Sequence, residues 1–387
     1  MTASSPDRVV AAAAPSATAP AGKPLRILQI GTGFEKWGGT EMHLLSLARA
    51  QADAGHTVAV ACPPGGWTDS RARALGLATL AATVRTRWDL AALSALRRAI
   101  VQFQPDALHV HSPRDLVVPP LAARLEGRIP VFYTRHLGRV IRSRLTRTLL
   151  TRGVYCTIGV SEFVRQRLLE AGLPPEKVRT ISNSAWRPGW RATVPPEATR
   201  AGWGVPAGVP VVGMLTRMSS EKGVTDFVDA LALPGAGAAF GVVVGDGPQR
   251  QELERRAAER GLSGRLRLAG HTDDPASALA AMDVFVLAST WEEPCATVLQ
   301  EAMALGLPCI ATATGGTPEI AGDAALLVPK EDPAALAAAL ASLLGDPARR
   351  AALGAAGRAR VEAHYGLAAM AERVVALYRE APAPRAR

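Results

Sequence analysis

The sequence has few aromatic residues, few cysteines and no long apolar run, and each shortage excludes a class of protein. Aromatic residues make up only 5% of the 387 residues. No stretch of about 18 consecutive apolar residues occurs, so no membrane-spanning helix is predicted. The cysteines have neither the CxxC spacing of a zinc site nor the density of a disulfide framework, which favours a reducing cytoplasm. They are Cys62, Cys156, Cys295 and Cys309.

Acidic residues are also in short supply. The chain has 34 acidic against 44 basic residues, a net charge of +10, and this balance favours anionic partners. The densest basic segment, residues 135–152, is predicted to be helical, with leucine and isoleucine between its arginines. It fits either a helix on an anionic membrane surface or a solvated helix with buried leucines. Because the segment almost lacks aromatic stacking platforms, nucleic acid is not an expected partner. Its arginines are Arg135, Arg139, Arg142, Arg144, Arg147 and Arg152.

The length and the hydrophobic content of 48% predict a globular protein of two domains. Residues 1–23 are rich in Ala, Pro and Ser, and they lack the basic start and leucine-rich core of a secretion signal. We therefore expect a disordered leader there.

Apolar strand patterns alternate with helical patterns along the rest of the chain. Such alternation predicts parallel sheets with helices on both faces, here as two doubly wound α/β domains that face a central cleft. The predicted domains are residues 24–183 and 206–365, joined by a linker at 184–205. A final helix and tail, residues 366–387, could pack on either domain. Ligands of such sheets bind beyond the carboxyl ends of the strands.

Glycines follow the first predicted strand. Gly31 and Gly33 form a GxG without the third glycine of a dinucleotide fingerprint. Gly38 and Gly39 stand at the start of the next helix, where backbone N–H groups could approach a phosphate. The alternative is a flexible turn.

The segment "DALHVHS" has a two-residue period that puts His109 and His111 on one face of a strand. His111 lies nearer the carboxyl end, which favours contact with a substrate. A structural histidine bonded to a carbonyl is one alternative. A metal-binding His-x-His pair is another, although no third or fourth ligand is evident.

Two cations follow the first strand of the second half, in "TRMSSEKG". Arg217 and Lys222 at the ligand-facing end of a strand suit a pyrophosphate, and they could replace a metal ion in stabilising a phosphate leaving group. The alternative is a charged surface loop.

The stretch "WEEPCATVLQEAMALG" places two glutamates eight positions apart, Glu293 and Glu301. Pro294 suits the first position of a helix, which would leave backbone N–H groups at residues 295–298 as donors to a ligand. The glutamates would accept hydrogen bonds from sugar or ribose hydroxyls. The alternative is a pair of ordinary helix charges.

Over residues 25 to 380 the sequence resembles the retaining glycosyltransferases of the GT-B fold, specifically glycosyltransferase family 4. The resemblance rests on "GGTE", "LHVHS", "IGVSEFVRQRLLEAGLPPEKVRTISN", "TRMSSEKG", "GDGPQRQEL" and "EEPCATVLQEAMALGLPCIATATGGTPEI". Two positions depart from the family pattern where "EGFG" is common: Pro294 removes an N–H donor, and Ala296 adds a methyl group. Asn183-Ser184-Ala185-Trp186 replaces a common "NGVD". These changes bear on the identity of the sugar and on the hinge.

The resemblance implies a role for each matching residue. Gly38 and Gly39 would approach the diphosphate or the transferred sugar of the donor, and His111 would contact the sugar near its reacting carbon. Arg217 and Lys222 would stabilise the departing phosphate. Glu293 would bind sugar hydroxyls, and Glu301 would bind the ribose. The backbone of Ala296, Thr297 and Val298 would bind the sugar or the phosphate. His271 would lie near the base.

The resemblance also implies the reaction: a metal-independent, cofactor-free transfer from a nucleotide-diphosphate sugar, with retention at the anomeric carbon. The expected acceptor is a cell-envelope glycan, a glycolipid or a polysaccharide. The expected location is the cytoplasm, with a peripheral position on the inner face of the cell membrane as a second expectation. Two rival functions are a nucleotide-sugar epimerase of similar architecture and a nucleotide-sugar-binding protein without catalysis.

Overall fold

A computed structural model describes residues 22–31, 38–184 and 189–384. The expected leader up to residue 21, Gly33, Ala185 and Trp186 lie outside the described residues. The described chain forms two parallel sheets, of seven and six strands, with helices on their faces. The predicted α/β class with two doubly wound domains is confirmed.

The first sheet has the strand order β3-β2-β1-β4-β5-β6-β7. Its strands are β1 (Arg26–Ile30), β2 (Thr57–Cys62), β3 (Ala78–Ala81), β4 (Ala107–Val110), β5 (Val131–Arg135), β6 (Cys156–Gly159) and β7 (Val178–Thr180). The helices around it are α1 (Gly39–Asp53), α2 (Trp67–Ala74), α3 (Leu90–Phe103), α4 (Val118–Leu125), α5 (Arg144–Arg152) and α6 (Glu162–Glu170).

The second sheet has the order β10-β9-β8-β11-β12-β13. Its strands are β8 (Val211–Leu215), β9 (Phe240–Val244), β10 (Leu266–Gly270), β11 (Val284–Leu287), β12 (Cys309–Thr312) and β13 (Leu326–Val328). The helices of this half are α7 (Pro196–Trp203), α8 (Val224–Ala232), α9 (Arg250–Glu259), α10 (Pro275–Ala280), α11 (Thr297–Ala304), α12 (Thr317–Ala321), α13 (Pro333–Leu344), α14 (Pro347–His364) and α15 (Leu367–Glu380).

Central strands are buried along their length because helices cover both faces of each sheet. Every residue of β4, β9 and β11 is buried. The two strands that the sequence patterns did not predict, β3 and β7, are the edges of the first sheet. They have four and three residues and are partly exposed, so neither has the long apolar run that marks a central strand.

The basic segment at 135–152 is not one helix, so that prediction is wrong in its first half. Arg135 is the last residue of β5, pairs with Gly159 of β6 and is buried. Helix α5 begins only at Arg144, where the Ser143 hydroxyl caps it by accepting from the Thr146 N–H. The first residue of the segment therefore belongs to the sheet, and only three of its six arginines lie in the helix.

The last helix, α15, packs on the N-terminal domain, which decides the question that the sequence left open. Its residues Met370, Val374 and Tyr378 are buried in one cluster with Leu44 and Leu47 of α1. The chain thus starts in the first domain, builds the second and returns to the first.

Each sheet has a point where successive connections run in opposite directions. In the first sheet this switch point lies between β1 and β4, and in the second between β8 and β11. Crevices at the carboxyl ends of strands beside such a point are the usual ligand sites of open α/β sheets. The loops that leave these four strands carry most of the predicted site residues.

Candidate active site

A direct ion pair joins the loops that follow β8 and β11. The Lys222 Nζ donates to Glu293 Oε1 at 2.5 Å, and the Ser289 hydroxyl donates to the same oxygen at 2.6 Å. Glu293 is 7% exposed and the Lys222 side chain is 25% exposed. The structure therefore brings together two of the predicted catalytic residues, which lie 71 positions apart. Glu293 is therefore a buried carboxylate paired with a cation and a hydroxyl, and not a solvated helix charge.

Glycines allow these loops to approach so closely. A Cβ on Gly223 would lie 1.8 Å from the Ala288 carbonyl oxygen, and the φ of Gly223 is +61°. A Cβ on Gly315 would lie 2.3 Å from the Glu293 carbonyl oxygen. Both positions exclude any side chain, so backbone contacts hold the Lys222 and Glu293 segments in register.

Arg217 points away from this pair. Its guanidinium donates to Glu221 Oε1 at 2.5 Å and to the Ser219 hydroxyl at 3.3 Å, and its side chain is 66% exposed. A backbone hydrogen bond and the Arg217 guanidinium lower the pKa of Glu221 to about 2, so this carboxylate is charged at neutral pH. An incoming phosphate must therefore compete with Glu221 for Arg217.

The helix after Glu293 starts later than the sequence predicted. Pro294 is not its first residue, because α11 begins at Thr297. The Pro294 carbonyl accepts from the Ser161 hydroxyl at 2.6 Å, and the Gly316 N–H donates to the Glu293 carbonyl at 2.7 Å. Contacts from outside the segment thus hold it in a non-helical conformation and override the helical preference of proline.

The same geometry corrects the predicted set of backbone donors. The Thr297 N–H donates to the Cys295 carbonyl at 3.0 Å and is already engaged. Ala296 is buried at the helix start, and Val298 is half-buried in the first turn. The N–H groups of Ala296 and Val298 remain predicted ligand donors.

The other predicted donor-binding residues lie around the second sheet. Glu301 is half-buried on α11, about one turn into the helix and eight positions after Glu293. His271 follows β10 directly and lines a cavity with Gly270, Trp203 and Asp274. This cavity lies at the carboxyl end of β10, the edge strand that pairs with β9, two strands away from β8.

Gly38 and Gly39 lie at the amino end of α1, as predicted. Gly38 is the extended residue before the helix, and Gly39 is its first residue. A Cβ on Gly39 would meet no atom of the described residues within 4 Å. The helix has 15 residues, and its amino end presents N–H groups and a partial positive charge.

His111 is the last member of a buried chain of hydrogen-bonded side chains. Its Nε2 lies 2.8 Å from Gln29 Oε1, and the Gln29 amide donates to Gln51 Oε1 at 2.8 Å. Burial, with the neighbouring histidines as a further cause, holds the pKa of His111 well below its usual range, so the ring is neutral at pH 7. Because Gln29 Oε1 takes the N–H of this neutral ring, Nδ1 can accept a hydrogen bond, for example from a sugar hydroxyl.

His109 has a structural role. Its Nδ1 lies 2.6 Å from the Tyr378 hydroxyl of α15, and its Nε2 lies 2.7 Å from the Thr134 hydroxyl. Both ring nitrogens are satisfied inside the domain. The two histidines of the His-x-His pair therefore differ in function, although they share a face of β4.

The sequence patterns missed two histidines beside His111. His43 of α1 and His136, the residue after β5, have ring centroids 5.5 Å and 5.8 Å from that of His111. His136 occupies the end of β5 as His111 occupies the end of β4, and this shared placement is the signal that could have found it. His43 has no such signal, because only the packing of α1 on the sheet brings it near.

The two halves of the site face each other across a direct contact. A Cβ on Gly138, two residues after His136, would lie 3.4 Å from the Glu292 carbonyl oxygen. The Arg139 guanidinium lies 5.3 Å from the centre of the Trp291 ring. The loops after β5 and β11 thus join the two switch points in one cleft between the domains.

Comparisons with known proteins agree with this architecture. Residues 37–185 match the family Glycosyltransferase Family 4, and residues 196–360 match Glycosyl transferases group 1. The chain is 32% identical to a 2-deoxystreptamine N-acetyl-D-glucosaminyltransferase of Streptomyces fradiae, over 89% of this chain and 91% of the relative. It is 28% identical to a lipopolysaccharide core biosynthesis glycosyltransferase of Rhizobium meliloti, over 90% of this chain and 98% of the relative.

A solved structure shares the fold. HepE of Anabaena in complex with UDP superimposes with a TM-score of 0.81 at 23% identity, over 92% of this chain and 100% of that chain. Two facing parallel sheets with a cleft between their switch points, together with these matches, define a glycosyltransferase. Within that class the chain belongs to glycosyltransferase family 4, which has the GT-B fold. Among the described residues, no helix is both long and apolar enough to cross a membrane.

Proposed function

We propose that this glycosyltransferase moves a sugar from a nucleotide-diphosphate sugar to a cell-envelope glycan, glycolipid or polysaccharide, with retention and without a metal ion in the reaction. The observation that carries the proposal is the buried Lys222–Glu293 pair at the switch point of the second sheet. Glu293 would bind hydroxyls of the transferred sugar while Lys222 lies beside the phosphate oxygen that departs. The UDP and UDP-glucose complexes of HepE, a protein of the same fold, support a nucleotide-sugar donor.

The proposed donor extends along the carboxyl ends of the strands in the second sheet. The base would lie in the cavity at His271, the ribose near Glu301, and the diphosphate over Arg217, Lys222 and the amino end of α11. Two cations stabilise a developing phosphate charge in the way a metal ion otherwise would. The sugar would then reach across the cleft towards His111.

Retention follows from reaction on one face of the sugar. The bond between the anomeric carbon and the phosphate oxygen breaks, and the acceptor oxygen forms its new bond on the same side. The acceptor proton passes to the departing phosphate, so no protein base is needed. Neutral His111 would hold a sugar hydroxyl and orient the ring during this exchange.

Exposed apolar and basic residues after β5 support an acceptor at a lipid surface. Leu137, Val140 and Leu145 are exposed apolar residues, between 40% and 44% accessible, close to the end of β5. Arg142 and Arg144 are exposed among them. Apolar side chains flanked by cations match the boundary between acyl chains and anionic headgroups. We therefore propose peripheral membrane contact through part of the segment 135–152.

A soluble acceptor is the second candidate. The relative that is 32% identical over 91% of its length is named for transfer to 2-deoxystreptamine, a small amino-cyclitol. The two acceptor classes differ in a direct experiment, because only the first needs a lipid surface.

The test of the reaction is transfer itself, followed by NMR with a panel of glycolipid, polysaccharide and amino-cyclitol acceptors. We expect a product with the same anomeric configuration as the donor, formed at an unchanged rate in EDTA. An inverted product would refute retention. Interconversion of nucleotide sugars without an acceptor would instead identify an epimerase, and donor binding without any product would identify a binding protein.

The membrane contact is tested by sedimentation with vesicles of phosphatidylglycerol and phosphatidylcholine. The variant Arg142→Glu/Arg144→Glu should bind less than the wild type, and the loss should diminish as salt is raised. The matched control is Arg267→Glu/Arg349→Glu, which reverses two exposed arginines of the C-terminal domain. Equal binding by both variants, or no binding by the wild type, would contradict the proposal.

A further inference from the structure

Three histidine side chains from separate elements converge beside the cleft. One ring nitrogen each from His43 of α1, His111 after β4 and His136 after β5 lies within 4.8 Å of the other two. His43 and His111 are buried, and His136 is partly buried. We call this set the histidine triad. Three imidazoles with one open position are a common ligand set for zinc and related ions.

Several nitrogens of the triad have no partner. Among the described residues, no hydrogen bond reaches either ring nitrogen of His43, Nδ1 of His111 or Nε2 of His136. Each buried polar atom left in this state costs about 1–3 kcal/mol. Three neighbouring side chains would together forfeit several times that amount. Such a cost persists where a bound group satisfies the nitrogens in the working protein.

The hydrogen bonds around His111 fix which of its nitrogens is free. The Gln29 amide group donates to Gln51, so Gln29 Oε1 is an acceptor. His111 Nε2 must therefore carry the proton that it shares with Gln29 at 2.8 Å. The lone pair of the neutral ring is then on Nδ1, the unpartnered nitrogen. Histidines that bind metals are oriented in this way, through a hydrogen bond from the other ring nitrogen.

His136 has a comparable neighbour. Its Nδ1 lies 3.4 Å from the Asn183 side-chain amide, and the Asn183 Oδ1 has no partner among the described residues. Rotation of that amide by half a turn would present Oδ1 to Nδ1–H and leave the Nε2 lone pair free. His43 has both nitrogens available. Each member of the triad can thus offer one lone pair.

From this convergence we propose that the histidine triad binds a divalent transition-metal ion such as Zn²⁺ or Co²⁺. Tetrahedral bonds of about 2.0–2.1 Å place ligand nitrogens about 3.3 Å apart, so the widest pair must close by about 1.5 Å, shared between two side chains. The fourth position is left to water or to an anion. His109 is not a ligand, since both of its nitrogens are bonded to Tyr378 and Thr134.

The charges around the triad are compatible with a bound cation. His43 is buried, and among the described residues neither of its ring nitrogens has a hydrogen-bond partner. Glu41 lies on the first turn of α1, two residues before His43, and is the acid nearest to it in sequence. Arg135 precedes His136 and opposes a cation, although its guanidinium donates to the Arg139 carbonyl. A bound anion at the fourth position would offset that charge.

Cobalt provides a direct readout that does not depend on transferase activity. The full chain, without a histidine tag and freed of metal by EDTA, is titrated with Co²⁺ while its visible spectrum is recorded. We expect the intense bands of four-coordinate cobalt to saturate at a single equivalent. His136→Ala should abolish them, whereas His364→Ala, which removes an exposed histidine of α14, should leave them unchanged.

A second variant keeps the test decisive if a triad variant does not fold. Gln29→Leu removes the group that orients His111 and should weaken Co²⁺ binding 10- to 100-fold, as changes behind a metal ligand do. The absence of the bands in the wild type, or bands that survive in both His136→Ala and Gln29→Leu, would overturn the proposal. A bound ion would occupy His111 Nδ1, the same nitrogen that the proposed function gives to a sugar hydroxyl. Transfer is therefore measured in EDTA, where the triad is empty, and the two proposals can fail separately.

Discussion

Replacement of Lys222 should lower both the free energy of unfolding and kcat, and the two losses can be measured separately. The Lys222→Met variant leaves the Glu293 carboxylate, 7% exposed, with the Ser289 hydroxyl as its one hydrogen-bond partner in the described part of the chain. At 2.5 Å the gross attraction of the pair is about 7 kcal/mol for an effective dielectric constant of about 20. Desolvation of both groups offsets part of this, while loss of one partner from a buried pair costs about 3–5 kcal/mol. Because a quarter of the Lys222 side chain is exposed, we expect a loss of about 2–4 kcal/mol.

The loss of kcat should have a different cause from the loss of stability. If Lys222 stabilises the departing phosphate, its removal should lower kcat about 10²–10³-fold, the usual effect of deleting one such donor. The double variant Lys222→Met/Glu293→Gln removes the unpaired buried charge along with the cation. It should recover most of the unfolding free energy and none of the activity.

Urea denaturation and initial-rate kinetics on the same preparations measure the two effects. Recovery of activity in the double variant would mean that the single variant fails because the Glu293 charge is left unpaired, and that neither charged group acts in the transfer itself. A Lys222→Met variant that binds donor and retains more than a tenth of the wild-type kcat would refute the leaving-group role.

Three further predictions concern the support of the site. Gly223→Ala should destabilise the protein far more than Gly208→Ala, because both glycines have positive φ but only Gly223 would place its Cβ against a carbonyl oxygen, at 1.8 Å. Thermal denaturation of both variants measures the difference, and equal losses of stability would contradict the prediction. Tyr378→Phe should cost about 1–3 kcal/mol in urea denaturation by leaving His109 Nδ1 without its partner, and a loss below about 0.5 kcal/mol would show that α15 contributes little there. Burial raises the pKa of Cys295 to about 12, so its reaction with a disulfide reagent should be slow at pH 8, increase with pH and accelerate in urea. Rapid native labelling would contradict the packing of this partly buried thiol against the apolar clusters of both domains.

The sequence patterns predicted the fold because strand and helix periods report local burial. They also predicted Lys222 and Glu293, since polar residues directly after buried parallel strands gather at one edge of a sheet. They placed the start of α11 at Pro294 because the local preference of proline was all that the sequence offered. Ser161 and Gly316, distant in sequence, fix that segment instead.

The histidine triad lay beyond prediction for the same reason. His43 reaches His111 only through the packing of α1 against the sheet, and no spacing in the sequence encodes that contact. The conformation of the basic segment is likewise determined by the sheet, since the pairing of β5 with β6 makes Arg135 the end of a strand and not a helical residue. Tertiary contacts, rather than local patterns, determine these parts of the site.

The most direct test of the account is a thermal-shift screen of the wild type with UDP-, GDP-, ADP- and dTDP-sugars in EDTA. A ligand at 100 times its Kd stabilises the folded protein by about 2.7 kcal/mol, so a donor is detectable without knowledge of the acceptor. A nucleotide-sugar site at the switch point of the second sheet predicts a raised melting temperature with at least one of these nucleotides. No stabilisation by any of them would contradict the central claim.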